Sequence, residues 1–143
     1  MTVKIKVVGN IPQYARIGDA GCDLVANENA MIGPHSRKLI KTGTWVEIPD
    51  GYVGLIHPRS GLALKQGLTV LNTPGTIDSG YRGEIGVILY NSTLDMIEID
   101  RGTRIAQLVF QKFETAEFEV VDALTESDRG EGGFGSTGVK SDA

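Results

Sequence analysis

The sequence predicts an all-β domain, a sandwich or barrel, with a glycine-rich C-terminal tail. Three observations carry this expectation. Short runs of β-branched and apolar residues recur at intervals of about 8–12 residues, the strand spacing of such folds. Glycine and proline turn signals separate the runs, as at Gly33-Pro34, Pro49-Asp50-Gly51 and Asp100-Arg101-Gly102. No stretch carries the helical apolar period over an ordinary helix length, and nothing repeats at a solenoid period.

Taken in order, Val3-Lys4-Ile5-Lys6-Val7 alternates apolar and polar, the pattern of a half-buried strand. Ile11-Pro12 interrupts it, because proline has no N–H to give a ladder. Residues 18–24 turn two carboxylates, Asp19 and Asp23, into a short apolar strand. Residues 37–39 and 44–48 are read as two further strands. Residues 52–56 form a short buried one, and 62–66 have room for about one helical turn, ended by Gly67. Residues 71–91 read as a hairpin: glycines bend its middle, and 84–90 has the character of a buried strand. Residues 96–99, 105–113 and 115–121 supply the last strands. From Thr125 the composition shifts to Ser, Asp, Glu, Arg and Gly, which bury too little apolar surface to fold alone. The expected organisation is a domain over 1–124 and a flexible tail over 125–143.

A chain of 143 residues suits one domain with its own core. Its net charge of −4 gives no electrostatic case for nucleic acid. No apolar run is long enough to span a membrane, and Met1 leads into an alternating strand instead of a signal peptide. The single cysteine, Cys22, forms no internal disulfide, which fits a reducing compartment. The expectation is a cytoplasmic protein (host cytoplasm if viral).

Five segments combine glycine with chemistry-bearing side chains. Residues 71–91 place Asp78 and Tyr81 on a tight turn held by a strand, as functional groups often are, although turns favour such residues anyway. Arg59-Ser60-Gly61 offers a guanidinium, a hydroxyl and accessible backbone N–H groups, the ingredients of an anion site or of a plain turn. Arg101, Arg104 and Gln107 add two cations and an amide beside a strand; surface arginines are usually just solvated. Asp23 follows Ala20-Gly21, where a lone Asp is more often a cap than a catalyst. Residues 129–138 insert Arg129, Phe134, Ser136 and Thr137 among glycines. Such a segment serves either as a linker or as a flap, its cation and hydroxyls on phosphates and its ring over a base. The literal G-x-G-x-x-G from Gly130 to Gly135 is no dinucleotide fingerprint, which must follow a strand and open a helix. His35 and His57 lack zinc-ligand spacing, and no G-x-S-x-G elbow is present.

In this order and spacing, the five segments resemble the five motifs of the homotrimeric dUTPase family. They are Ala20-Gly21-Cys22-Asp23-Leu24, Pro58-Arg59-Ser60-Gly61-Leu62-Ala63, residues 72–91, Gly102-Thr103-Arg104-Ile105-Ala106-Gln107-Leu108, and residues 129–138. The resemblance spans nearly the whole chain. It implies a β jelly roll and a homotrimer whose active sites lie at subunit interfaces, each receiving a neighbour's tail. The implied reaction is hydrolysis of dUTP to dUMP and pyrophosphate with Mg²⁺ on the triphosphate, keeping uracil out of DNA and supplying dUMP for thymidylate synthesis.

By the same resemblance, Asp78 would activate the attacking water and Tyr81 would stack under the deoxyribose, excluding a ribose 2′-OH. Asn72, Thr76, Ile77 and Gly86 would read the uracil edge. Arg59, Ser60, Gly61 and Gln107 would hold the phosphates. Arg129, Ser136 and Thr137 would clamp the γ-phosphate while Phe134 lies over the base, and Gly135 would be among the substrate-binding residues. Asp23 would bind a water on Mg²⁺. Thr103 stands where the fourth motif usually has Asp, which changes a supporting hydrogen bond. A dCTP deaminase of the same fold is disfavoured, because Ile88 and Leu64 stand where that branch carries its catalytic Glu and an Arg. A nucleotide-binding regulator with the same pocket would bind dUTP without releasing pyrophosphate.

Overall fold

The computed structural model describes residues 1–138 and 140. Ten strands and one short helix follow in the order β1 (Lys6–Gly9), β2 (Gly21–Val25), β3 (Ala30–Ile32), β4 (Arg37–Glu47), β5 (Tyr52–His57), α1 (Ser60–Gln66), β6 (Leu68–Val70), β7 (Gly75–Ile77), β8 (Glu84–Asn91), β9 (Ile97–Ile99) and β10 (Arg104–Lys112). They build two four-stranded sheets, β1-β4-β8-β6 and β2-β10-β5-β7, and the small ladder β3-β9. Every pairing is antiparallel. The expected all-β class is what forms, a jelly-roll sandwich.

Alternation explains the packing. Ile85, Val87 and Leu89 of β8 point inward and are buried, while Glu84, Gly86, Ile88 and Tyr90 face outward. Leu24 and Leu108 meet them from the other sheet within one core. Each such side chain contributes about 1.5–3 kcal/mol through burial. The inward position at the end of β8 is polar. Asn91 is fully buried, and its amide donates to the carbonyls of Ile32 (2.9 Å), Gly33 (3.0 Å) and Asp95 (2.7 Å). Its carbonyl accepts from the Thr93 N–H and hydroxyl, so the group is satisfied and locks the following turn against β3.

Helix α1 buries no residue. It bridges the sheets between β5 and β6, and Gly67 stops it in the left-handed conformation at φ 67°. The long strand β4 joins what the sequence suggests as two strands, with a register shift between Lys41 and Trp45.

Three expectations are corrected. The first strand begins at Lys6, because the preceding residues find no partner along this chain's sheets. Residues 71–91 are not a hairpin. β7 pairs with β5 in one sheet, and β8 pairs with β4 and β6 in the other, so residues 78–83 cross between sheets. Residues 115–121 form no strand; Phe118 and Val120 lie almost fully exposed beyond the end of β10. Alternation signals a strand only where an edge is there to receive it.

Candidate active site

Two pockets collect most of the polar residues singled out above. The first follows from the place of β10 between β2 and β5. Gln107 on β10 stands opposite both Asp23 on β2 and His57 at the end of β5. Arg59, two residues beyond His57, is thereby brought to Asp23. Its Nε lies 3.4 Å from Asp23 Oδ1, and its Nη1 donates to the Arg104 carbonyl at 3.3 Å. Arg104 Nη1 approaches Asp23 Oδ2 at 3.7 Å, so two guanidiniums face one carboxylate that is 16% exposed. Gln107 Nε2 donates to the Pro58 carbonyl at 3.0 Å, tying β10 to the start of the Arg59-Ser60-Gly61 turn. Asp19, Gly21, Asp23, Arg59, Ser60, Gly61 and Gln107 line a pocket of about 340 Å³. Gly21 lies under close approach: a Cβ there would fall 2.3 Å from Gln107 Oε1 and 3.1 Å from its Cβ, so Gln107 would have to shift.

The second pocket, of about 170 Å³, lies where β7 and β8 diverge. Asn72, Thr76, Ile77, Tyr81 and Gly86 line it, with Glu84 and Ile85. Tyr81 crosses its mouth half-exposed, and its hydroxyl donates to the Glu84 carbonyl at 2.9 Å. The ring lies against Gly83, where a Cβ would meet the Tyr81 hydroxyl at 2.3 Å and the adjoining ring carbon at 2.6 Å. Asp78 follows β7 directly and is exposed, its carbonyl accepting from the Tyr81 N–H at 3.1 Å.

The two pockets share no lining residue. Register shows why. Ile77 stands opposite Gly54, so Asp78 is level with Val53, at the far end of β5 from Arg59. Six steps of extended chain, from Val53 to Arg59, measure roughly 20 Å. One chain therefore holds Asp78 and the Arg59 pocket apart.

The tail residues line neither pocket. Phe134 is fully exposed at φ 48°, followed by Gly135 at φ 91°. Arg129 Nε donates to the Gly132 carbonyl at 2.6 Å, and the N–H groups of Ser136 and Gly138 close turns onto Gly133 and Gly135. Thr137 is likewise exposed. Thr103 acts through its backbone, accepting from Ala26 N–H and donating to the Asp100 carbonyl.

Sequence reasoning missed the crowding at Gly21, where Gln107 arrives from a distant strand, and at Gly83, where the Tyr81 ring two residues earlier folds back onto the backbone. Among the described residues, no group of three or more His, Cys, Asp or Glu side chains gathers to hold a metal ion. Asp19 and Asp23 are the carboxylates of the first pocket, enough only for a cation that keeps its waters and needs one or two carboxylates, and Asp23 is already faced by the guanidiniums of Arg59 and Arg104. Among the same residues, no helix is long and apolar enough to cross a membrane. Burial raises the Cys22 thiol above its ordinary pKa, and its Sγ donates to the Leu108 carbonyl at 3.3 Å, the setting of a space-filling side chain.

Comparison with known proteins adds independent findings. A family model described as dUTPase matches residues 8–138. The deoxyuridine 5′-triphosphate nucleotidohydrolase of Thermobifida fusca is 54% identical over 129 residues, covering 90% of this chain and 72% of that protein. Its namesake from Clostridium tetani is 51% identical over 140 residues, covering 96% and 97%. Among solved structures, a mutant dUTPase of Staphylococcus bacteriophage 80alpha with dUpNHpp superposes with a TM-score of 0.89 at 32% identity, covering 96% of this chain and 100% of that one. A mutant dUTPase from phage phi11 of S. aureus, described as revealing the coordination of a structural Mg(II) ion, matches with a TM-score of 0.78 at 27% identity over 85% and 98%.

Proposed function

The chain belongs to the dUTPase family, and on that premise we propose that it hydrolyses dUTP to dUMP and pyrophosphate at sites completed by neighbouring copies. The observation that carries the reading is the division of the machinery. A small pocket lined by Asn72, Thr76, Ile77, Tyr81 and Gly86, with Asp78 next in the chain after Ile77, and a cationic pocket at Arg59 are both built, towards opposite ends of β5.

Asp78 acts as general base. It takes a proton from a water whose oxygen bonds to the α-phosphorus as the bond to the bridging oxygen breaks, and pyrophosphate leaves. Arg59, Ser60, Gly61 and Gln107 hold the phosphates and oppose the charge that develops on them. Tyr81 packs beneath the deoxyribose and leaves no space for a 2′-OH. Asn72 and the backbone at Thr76, Ile77 and Gly86 present donors and acceptors that match uracil; cytosine would bury unpaired groups there. Asp23 would hold Mg²⁺ through one of its waters, and the ion would supply charge neutralisation on the phosphates. Residues 125–143 close over the site, with Arg129, Ser136 and Thr137 on the γ-phosphate and Phe134 and Gly135 over the base; Ser141, Asp142 and Ala143 of this segment, and Val139, lie outside the described residues. The setting is the cytoplasm.

Two features support a homotrimer. Asp78 of one copy must meet Arg59 of another, given their separation. The exposed segment 115–121 also carries Phe118 and Val120 alternating with Glu117 and Glu119, and the run Lys4-Ile5-Lys6-Val7, which leads into the edge strand β1, alternates charge and apolar side chain in the same way. Beside that edge runs an apolar groove of about 840 Å³ lined by Val3, Ile5, Val7, Ile11, Val46 and Phe110. Added to a neighbour's β1, the segment would bury its apolar row and pair its charges.

Pyrophosphate release with Mg²⁺ from dUTP, dCTP, dTTP and UTP tests the reading. Turnover of dUTP is expected to exceed that of dCTP by about 10⁴-fold in kcat/KM. Ammonia released from dCTP, or dUTP binding without turnover, would replace the hydrolase with a deaminase or a nucleotide sensor. Gly83→Ala supplies a second check. The added methyl displaces the Tyr81 ring, and losing about 1 kcal/mol of stacking should raise KM for dUTP about fivefold. An unchanged KM would remove Tyr81 from the sugar.

A further inference from the structure

Resting on Asp78 as the base, we infer that Arg82 and Glu47 are positioning residues that hold the 78–83 crossover in its working shape. This crossover is exposed and contains Gly80 and Gly83, the kind of segment that opens at small free-energy cost unless it is tied down. The ties come from the β4–β5 side. Arg82 folds back over its own loop: Nη1 donates to the Ser79 carbonyl at 2.6 Å and to the Tyr81 carbonyl at 3.3 Å. Its Nε reaches Glu47 Oε1 at 3.4 Å, on the last residue of β4. Glu47 Oε2 is in turn held at 3.1 Å by Lys6 of β1. On the other flank, the Ser79 hydroxyl donates to Asp50 Oδ1 at 3.4 Å, in the turn between β4 and β5.

The chain Lys6–Glu47–Arg82 thus anchors two carbonyls of the loop to the rigid sheet, one on each side of Gly80. Asp78 and Tyr81 are joined by a backbone hydrogen bond within the same loop, so fixing Ser79 and Tyr81 fixes the carboxylate between the sugar and the attacking water. Lys6, and then Arg82, hold the Glu47 carboxyl below its ordinary pKa, so it stays ionised at neutral pH. Exposed ion pairs of this kind add little to global stability. Their effect falls on local geometry, where a displacement of about 1 Å can cost as much as 10²-fold in rate.

Arg82→Ala, Arg82→Lys, Glu47→Gln and the double variant Arg82→Ala/Glu47→Gln test this, with Asp78→Asn beside them. Steady-state kinetics on dUTP and thermal unfolding are the readouts. Arg82→Ala is expected to lower kcat about tenfold, with KM changed less and the unfolding midpoint near wild type. Arg82→Lys keeps the positive charge but has one nitrogen where Arg82 uses Nη1 on the carbonyls and Nε on Glu47, so it should fall between. The double variant should be no worse than Arg82→Ala alone, because both changes cut one chain. Wild-type kcat in both Arg82 variants, with Asp78→Asn inactive, overturns the inference and leaves the base assignment standing. Additive losses in the double variant overturn it too. An active Asp78→Asn removes the base assignment and this inference with it.

Discussion

Asp78→Asn is expected to lower kcat for dUTP by about a thousandfold, within the usual range for loss of a general base. The amide matches the carboxylate in size but cannot accept the water's proton. Because Asp78 is exposed and outside the core, the fold should be untouched. The nucleotide should still bind, since the uracil pocket and the Arg59 pocket are built from other side chains. Pyrophosphate release under saturating dUTP, with titration of a non-hydrolysable analogue alongside, separates the two effects. A variant that keeps a tenth or more of wild-type kcat would move the base elsewhere.

Activity should also return when two dead variants share an assembly. Asp78→Asn and Arg59→Ala each disable every site of a homotrimer. If Asp78 of one copy works with Arg59 of the next, any mixed trimer has one interface where both are intact. Co-expression with two tags, and purification through both, should then recover about one third of wild-type turnover, as cyclic symmetry requires. Should both residues serve one site within a chain, the mixture would stay as inactive as its parts. The roughly 20 Å implied by the extended chain from Val53 of β5 to Arg59 is the physical basis for expecting recovery.

The alternation of 84–90, the turn at 49–51 and the stop at Gly67 were legible because each depends on neighbours in the chain. The segments carrying Asp23, Arg59 and Gln107 could be picked out one by one, yet only the order β2-β10-β5 puts them in one pocket. Residues 115–121 show the reverse failure: a strand pattern with no edge to join within its own chain. Glu47 offered no signal at all, being one charged residue at a strand end until Arg82 meets it across the fold.

Local chemistry by itself determined the all-β class, the turns and the kinds of side chain those turns carry. Period-two alternation and the conformational limits of Gly and Pro act over a few residues, so they can be read in a line. Tertiary structure alone decided that residues 78–83 cross between sheets, that Asp23 faces two arginines, and that Asp78 and Arg59 lie at opposite ends of one strand. Those facts depend on strand order and register, which arise when distant segments bury a common core, and no short window of sequence contains them.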